Sequence, residues 1–378
     1  MFPDASIEAV PVADGGDGTL DAMIAALHGR EIAMTVSGPD GTPVQAPYGL
    51  LQAGSMQSRP LEAGQTQSRP MQSRALERGG AETIGVVEMA RASGLALLPA
   101  GTNDPMTATS YGTGQLIAAA LQAGARRVIV AIGGSATNDA GTGALRALGA
   151  RFLDANAEEL PPGGAALAQL RHIDTGDLDA RLKGSSIEIA CDVTNPLIGP
   201  NGASGIYGPQ KGASPAQVRE LDAALAQFAA VAAKTTGADV RDVPGAGAAG
   251  GFGGGFLALA GARLRPGAEL VFEVIDFDHR LEGADLVVTG EGRLDKQTLS
   301  GKAPFAVAQA ARKRGIPVVA IAGTVSVRAD ELEAMGIAKA IAIAPPGMRT
   351  QEAMERAAEL TERAAYELAA FIRRAGAT

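Results

Sequence analysis

Short apolar runs alternate with amphipathic helical periodicity along most of this chain. Runs at 9–13, 127–132, 187–190, 285–289, 317–322 and 338–343 have the length and apolar density of buried strands. Between them, apolar positions recur at helical spacing over 18–27, 112–124, 215–235, 304–314 and 354–374, which predicts helices. Alternation of this kind is the sequence sign of βαβ units, so an α/β fold with a parallel sheet is expected. Residues 34–50 and 84–89 read differently. They are rich in β-formers, and Gly38-Pro-Asp-Gly41 supplies the turn chemistry of a hairpin. They are expected to form part of a second, mixed sheet inserted into the first domain.

Two stretches break the pattern. Residues 52–80 repeat Gln-Ser-Arg among Pro and polar positions with no apolar period, and are expected to be a mobile surface insertion. Residues 243–255 are dominated by Gly and Ala, and suit either a hinge between lobes or a loop wrapped around a ligand. Composition narrows the class further. With 3% aromatic residues and no Trp, the core must be built from Ala, Val, Leu and Ile. A formal charge of −8 argues against a nucleic-acid or acidic-membrane surface. A single cysteine, Cys191, excludes an internal disulfide framework and fits a reducing compartment. With no signal peptide and no run long enough to span a bilayer, a cytoplasmic location is expected.

Candidate chemistry concentrates where predicted strands end. After the apolar run at 284–288, Gly290 and Gly292 free the backbone, and Glu291, Arg293, Asp295, Lys296 and Lys302 bring both charge signs together. Open α/β sheets bind ligands at the carboxyl ends of their strands, carboxylates suit a hard cation, and cations with free N–H groups suit phosphate. The strand at 128–132 runs into Gly133-Gly-Ser-Ala-Thr-Asn-Asp139, a strand–Gly-rich loop–helix arrangement that suits an anion; the alternative is a capping loop whose Ser135, Thr137 and Asn138 satisfy helix N–H groups. Neither the dinucleotide fingerprint nor the Walker pattern is complete anywhere in the chain. Asp14 and Asp17 end the first predicted strand and could share a cation or cap a helix. Asp192 follows the strand at 187–190 as a candidate base or metal ligand, and Lys211 among glycines could hold a carboxylate or phosphate. His28, His172 and His279 share no metal spacing.

These segments together resemble the first family of bacterial-type glycerate kinases. The resemblance is carried by Pro11-Val-Ala-Asp-Gly-Gly-Asp-Gly-Thr19, Tyr111-Gly-Thr-Gly114, Gly133 to Asp139, Cys191-Asp-Val-Thr-Asn-Pro196, Gly208-Pro-Gln-Lys-Gly212, Gly245-Ala-Gly-Ala-Ala-Gly-Gly251, Thr289-Gly-Glu-Gly-Arg-Leu-Asp295 and Gly301-Lys-Ala-Pro304. It implies ATP-dependent phosphorylation of D-glycerate with Mg²⁺, small-molecule partners only, and a monomer or homodimer. It also implies two α/β lobes around an active-site cleft: a Rossmann-like domain (1–33, 108–150 and 270–378) and an inserted mixed-sheet domain (34–107 and 151–269). By charge, Gly133, Gly134, Ser135, Thr137 and Asn138 would cradle ATP phosphates, while Glu291, Asp295 and Asp14 would hold Mg²⁺. Asp192 would orient or deprotonate the attacking hydroxyl. Arg293 or Lys211 would clamp the glycerate carboxylate, and Lys302 would offset charge on the transferring group. Members of that family usually begin earlier, with a strand and a Pro-Asp-Ser-Phe-Lys-Gly-like segment, whereas this chain starts at Met1-Phe-Pro-Asp4. That departure raises an alternative, a non-catalytic relic that binds nucleotide or hydroxy acid. A further alternative, an NAD-dependent hydroxy-acid dehydrogenase, would use Asp154 to contact a ribose.

Overall fold

Six strands of the larger of two compact units form one mixed sheet. The computed structural model describes residues 5–52, 82–296, 298 and 302–375. The larger unit is Ala9–Ile275; the smaller takes the chain from Asp276 onward together with the N-terminal residues up to Glu8. In chain order the larger unit contains α1 (Thr19–Leu27), β1 (Arg30–Ser37), β2 (Pro43–Gln52), β3 (Thr83–Glu88), α2 (Ala90–Ser93), α3 (Tyr111–Gln122), β4 (Arg127–Ala131) and α4 (Thr142–Ala147). It continues with β5 (Arg151–Leu153), β6 (His172–Asp174), β7 (Ser186–Ala190), α5 (Ala203–Tyr207), α6 (Pro215–Thr236), α7 (Ala248–Leu259), β8 (Arg263–Arg265) and α8 (Gly267–Val274).

The sheet order is β1-β2-β3-β4-β7-β8. The hairpin β1–β2 is antiparallel, β2 pairs antiparallel with β3, and β3, β4, β7 and β8 are mutually parallel. Central β4 is buried from Val128 to Ala131, as a strand covered on both faces requires, and this explains its unbroken apolar run. The hairpin turns where the sequence placed it: Asp40 accepts from the Thr42 N–H and hydroxyl at 3.0 and 2.6 Å. Helix α6 starts on a capping box between Ser214 and Gln217 with Pro215 at its first position, and stops at left-handed Gly237.

The smaller unit contains α9 (Phe277–Arg280), β9 (Val287–Leu294), α10 (Ala303–Lys313), β10 (Val318–Val325), α11 (Ala329–Met335), β11 (Lys339–Ala342), α12 (Thr350–Glu355) and α13 (Ala357–Ala375). Its strands form a parallel sheet in the order β11-β10-β9. Along β10, Val318, Ala320 and Ala322 pack with Ala308, Ala311 and Met335, while Val319 packs with Ile341, Ala364 and Leu368. Period-two alternation thus sends one face of the sheet to α10 and α11 and the other to α13.

The α/β class is the one expected, but the division of the chain differs. Residues 84–89 and 127–132 were assigned to separate domains, yet β3 pairs directly with β4 in register Ile84 to Arg127. Continuous ladder hydrogen bonds place the hairpin, β3, β4 and β7 in a single sheet, so the chain divides after Ile275 and not at 33, 107, 150 and 269. Residues 9–13 form no strand, because this Val-rich run pairs with no other segment among the described residues. The helix expected over 354–374 is two helices meeting at Arg356. The Gly-rich stretch 243–255 is no open linker: it leads into α7, which is buried along most of its length. Of the expected insertion at 52–80, residues 53–80 lie outside the described residues.

Candidate active site

The carboxyl ends of β4 and β7 open into a cleft of about 290 Å³ within the larger unit, walled by Asp14, Gly133, Gly134, Ser135, Asp192 and Lys211 among others. Parallel strands deliver ligand-binding loops to this edge because their connections all turn there. The 133–136 loop is fixed from behind: Leu95 N–H donates to the Gly134 carbonyl at 2.9 Å and Ala136 N–H to the Ser93 carbonyl at 2.9 Å. The N–H groups of Gly133, Gly134 and Ser135 take no partner among the described residues. Gly134 sits at φ 68°, where a Cβ would stand 2.9 Å from Asp17 Oδ1. Unspent N–H groups around a left-handed glycine form a concave anion-binding nest.

Behind this loop lies Lys211, only 2% exposed. Its Nζ donates to Ser135 Oγ at 2.9 Å and to the Thr137 carbonyl at 2.6 Å. Burial pulls the ammonium well below the ordinary lysine value, to about 7, with Asp139 opposing the shift. Because Lys211 occupies a lone pair of Ser135 Oγ, the Ser135 hydroxyl hydrogen is left to point elsewhere. A buried cation therefore polarises a hydroxyl on the cleft wall.

Asp192 follows β7 and accepts the Gly267 N–H at 2.9 Å through Oδ1, at the first residue of α8. Solvent reaches this carboxylate through the open side of the cleft, while protein crowds its other sides. That loss of hydration pushes it up to about 6, and the charges of Asp14 and Glu269 add to the shift. Gly267 also packs against the aspartate loop, since a Cβ there would stand 1.9 Å from the Asp14 carbonyl oxygen. One glycine thus anchors the Asp192 carboxylate and lets the Asp14 backbone pack close beside it.

Glu88, at the carboxyl end of β3, was passed over in the sequence. It is 2% exposed, and its two oxygens accept from Gly18 N–H at 2.9 Å and Leu20 N–H at 3.3 Å. A carboxylate from another strand thereby caps α1, where the helix dipole favours negative charge. The cap holds the Asp14–Gly18 loop against the sheet; burial pushes the Glu88 carboxyl up, and Arg91 opposes that. The available signal was a lone acid closing an otherwise apolar strand. Tyr207 and Ala249 on the cleft wall also went unnoticed. Ala249 has φ 51° and opens a run of three left-handed residues with Gly250 and Gly251. At Gly250 a Cβ would stand 2.0 Å from the Thr137 carbonyl oxygen, so only Gly permits α7 to lie against the loop.

The remaining expected residues distribute as follows. Thr137 and Asn138 are fully buried and stand off the cleft wall, with Asn138 Nδ2 donating to Ser204 Oγ at 3.0 Å. Among the described residues, Thr137 Oγ1 and Asn138 Oδ1 have no hydrogen-bond partner. In the smaller unit, Glu291 accepts from the Thr298 hydroxyl and stands 3.7 Å from Lys302 Nζ, while exposed Arg293 pairs with Asp295 at 3.2 Å. Asp14 belongs to the larger unit, so the three expected metal ligands divide between the units. Among the described residues no group of three or more acidic, His or Cys side chains is gathered to hold a metal. Asp154 closes an Asx turn, accepting from Asn156 and Glu158 N–H at 2.8 and 3.0 Å, in an antiparallel β5–β6 ribbon. It cannot play the ribose-binding acid of a parallel dinucleotide fold. Cys191 lines the cleft, but burial pushes its thiol up, which disfavours the nucleophilic thiolate.

The chain is similar over most of its length to known proteins. Residues 1–373 match the profile of the glycerate kinase family. The chain is 44% identical to a glycerate kinase of Bacillus subtilis over 99% of its own length and 90% of the relative's. It is 47% identical to the glycerate 2-kinase of Escherichia coli over 86% of this chain and 78% of that one. A crystal structure of a protein described as glycerate kinase 2 from Salmonella typhimurium LT2 superposes with a TM-score of 0.83 at 40% identity, covering 100% of this chain and 91% of the other. With the cleft, its polarised serine and its raised aspartate at the strand ends, these similarities establish that the chain belongs to the glycerate kinase family.

Proposed function

We propose that this chain transfers the γ-phosphoryl group of ATP to a hydroxyl group of D-glycerate, with Asp192 as the base. The observation that carries this role is the environment of that carboxylate. Oδ1 is pinned by Gly267 N–H, and the group's pKa of about 6 keeps it ionised at neutral pH yet basic enough to take a proton. Oδ2 accepts the hydroxyl proton as the glycerate oxygen attacks the γ-phosphorus, and ADP leaves with the bridging oxygen's electrons. Phosphoryl transfer asks a protein chiefly for positioning and charge neutralisation. The nest at Gly133–Ser135 and the hydroxyl polarised by Lys211 meet that demand by binding phosphate or carboxylate oxygens. Thr137 and Asn138 serve this reading only as the loop's buried support.

Magnesium fits the donor set. Asp14 lies near enough to Asp192 to oppose its ionisation, and Mg²⁺ takes one or two carboxylates beside phosphate oxygens and water. Asp14 would hold it, and the bound ion would supply positive charge against the phosphates. The test is Asp192→Asn with a pH–rate profile. Wild-type kcat/KM should fall as pH drops through about 6, and the variant should lose ~10²–10⁴-fold in turnover together with that acid limb. An unchanged rate in the variant removes Asp192 from the chemistry.

A further inference from the structure

A second cleft in the larger unit shares no residue with the first. It encloses about 530 Å³ and is walled by the β1–β2 turn at Gly41, the start of α3 at Thr109 and Tyr111, and the α4–β5 segment at Arg146 and Arg151. The protein as a whole is acidic, yet two arginines line this cleft against one carboxylate, Glu159. Arg146 is the unusual one. Its guanidinium lies 5.7 Å from the centroid of the Phe152 ring, and among the described residues its Nη2 has a long contact of 3.5 Å to the Pro161 carbonyl and its buried Nε has no partner. Buried polar atoms are almost always satisfied, so this guanidinium is short of partners, although the buried Nε itself lies out of reach of the cleft. Burial also lowers the Arg146 pKa, with Glu159 and Asp139 only partly compensating, so its charge is under-neutralised. Arg151 is engaged by Glu159 at 2.8 Å but remains half open to solvent.

We propose that this cleft is a second binding site, for a small carboxylate or phosphate oxyanion held by the guanidinium of Arg146 with Arg151 beside it. The planar donor fork of arginine matches both oxyanions, and the Phe152 ring 5.7 Å away gives the cation an apolar neighbour. The site rests on the same supports as the first cleft. Ser110, between Thr109 and Tyr111, donates through N–H and hydroxyl to Asp139 at 2.9 and 2.8 Å, and Asp139 terminates the 133–139 loop.

The experiment is calorimetric titration of the full chain with inorganic phosphate and, separately, with citrate. Arg146→Met, which keeps an apolar stem against Phe152, should weaken saturable binding about tenfold or more, as loss of a charge-assisted contact does. Lys211→Met, which alters only the first cleft, should leave that binding in place. Should Arg146→Met fail to fold, the exposed Arg151→Gln substitution decides, and a several-fold loss is expected. Binding of phosphate alone identifies a phosphorylated ligand, and binding of citrate alone a carboxylate. No saturable binding of either anion at millimolar concentration overturns the proposal. So does binding abolished by Lys211→Met but indifferent to the arginine substitutions.

Discussion

Lys211→Met should separate stability from function at the first cleft. Lys211 sits at a folded-state pKa of about 7 against an ordinary 10.5, so the unfolded chain holds its proton over a range in which the folded chain does not. The folded pKa is depressed, and for a base this means that burial penalises the charged form. The penalty is fully present below about pH 7, shrinks as pH rises, and is gone above 10.5. Each pH unit is worth about 1.4 kcal/mol, so between pH 7 and 9 the wild type should gain on the order of 2.7 kcal/mol relative to Lys211→Met. Below pH 7 the difference should be flat. Urea unfolding of both proteins at half-unit pH steps measures it, and subtracting one from the other cancels the other titrating groups. At pH 6 methionine also removes a cation whose burial costs on the order of 5 kcal/mol, against two lost hydrogen bonds of ~1.5–3 kcal/mol each. The variant should therefore be close to wild type in stability while its kcat/KM collapses. A difference curve without slope above pH 7 would refute the buried-cation argument.

Three further outcomes follow from the same geometry. Glu88→Ala removes the acceptor of Gly18 and Leu20 N–H and should cost about 2 kcal/mol in thermal or urea unfolding, whereas Glu88→Gln, which retains one acceptor, should cost less. Gly267→Ala forces a methyl toward the Asp14 carbonyl and should cost ~1–3 kcal/mol. Its kcat/KM should fall further than its stability does, because the Asp192 anchor moves too. Ser214→Ala breaks the α6 capping box and should lower stability by about 1 kcal/mol with kcat/KM unchanged, a control for effects confined to folding.

The parts of the fold that were legible in the sequence are those where one residue type has one physical consequence. The Gly38–Gly41 turn, the Ser214-Pro215 helix start and the buried run of β4 are of this kind. The domain division was not, because nothing local to 84–89 records that this strand pairs with 127–131. Glycine misled most at 243–255. A residue that permits any backbone reads as a linker, whereas here Gly250 and Gly255 exist so that α7 can touch the Thr137 and Ala140 carbonyls. The Val10–Val12 run carried strand-like apolar residues with no ladder partner. At the site, Asp14, Gly133, Gly134, Ser135 and Asp192 were named from positions after predicted strands and Lys211 from its place among glycines, and all six share one cleft. Thr137 and Asn138 were named from the same loop but are buried off the cleft wall, since sequence spacing through a glycine turn does not fix direction. Glu88 was hidden because its role is visible only once β3 and α1 are seen together. Among the described residues no helix is long and apolar enough to cross a membrane.

The central claim is phosphoryl transfer to D-glycerate, and the most direct measurement is ADP release by the purified chain given D-glycerate, ATP and Mg²⁺, with phosphoglycerate identified by mass. Stoichiometric ADP and phosphoglycerate are predicted, dependent on all three components and reduced ~10²–10⁴-fold by Asp192→Asn. Binding of ATP and of D-glycerate without ADP release from a folded chain would contradict it, and would leave a binding protein built on a kinase frame.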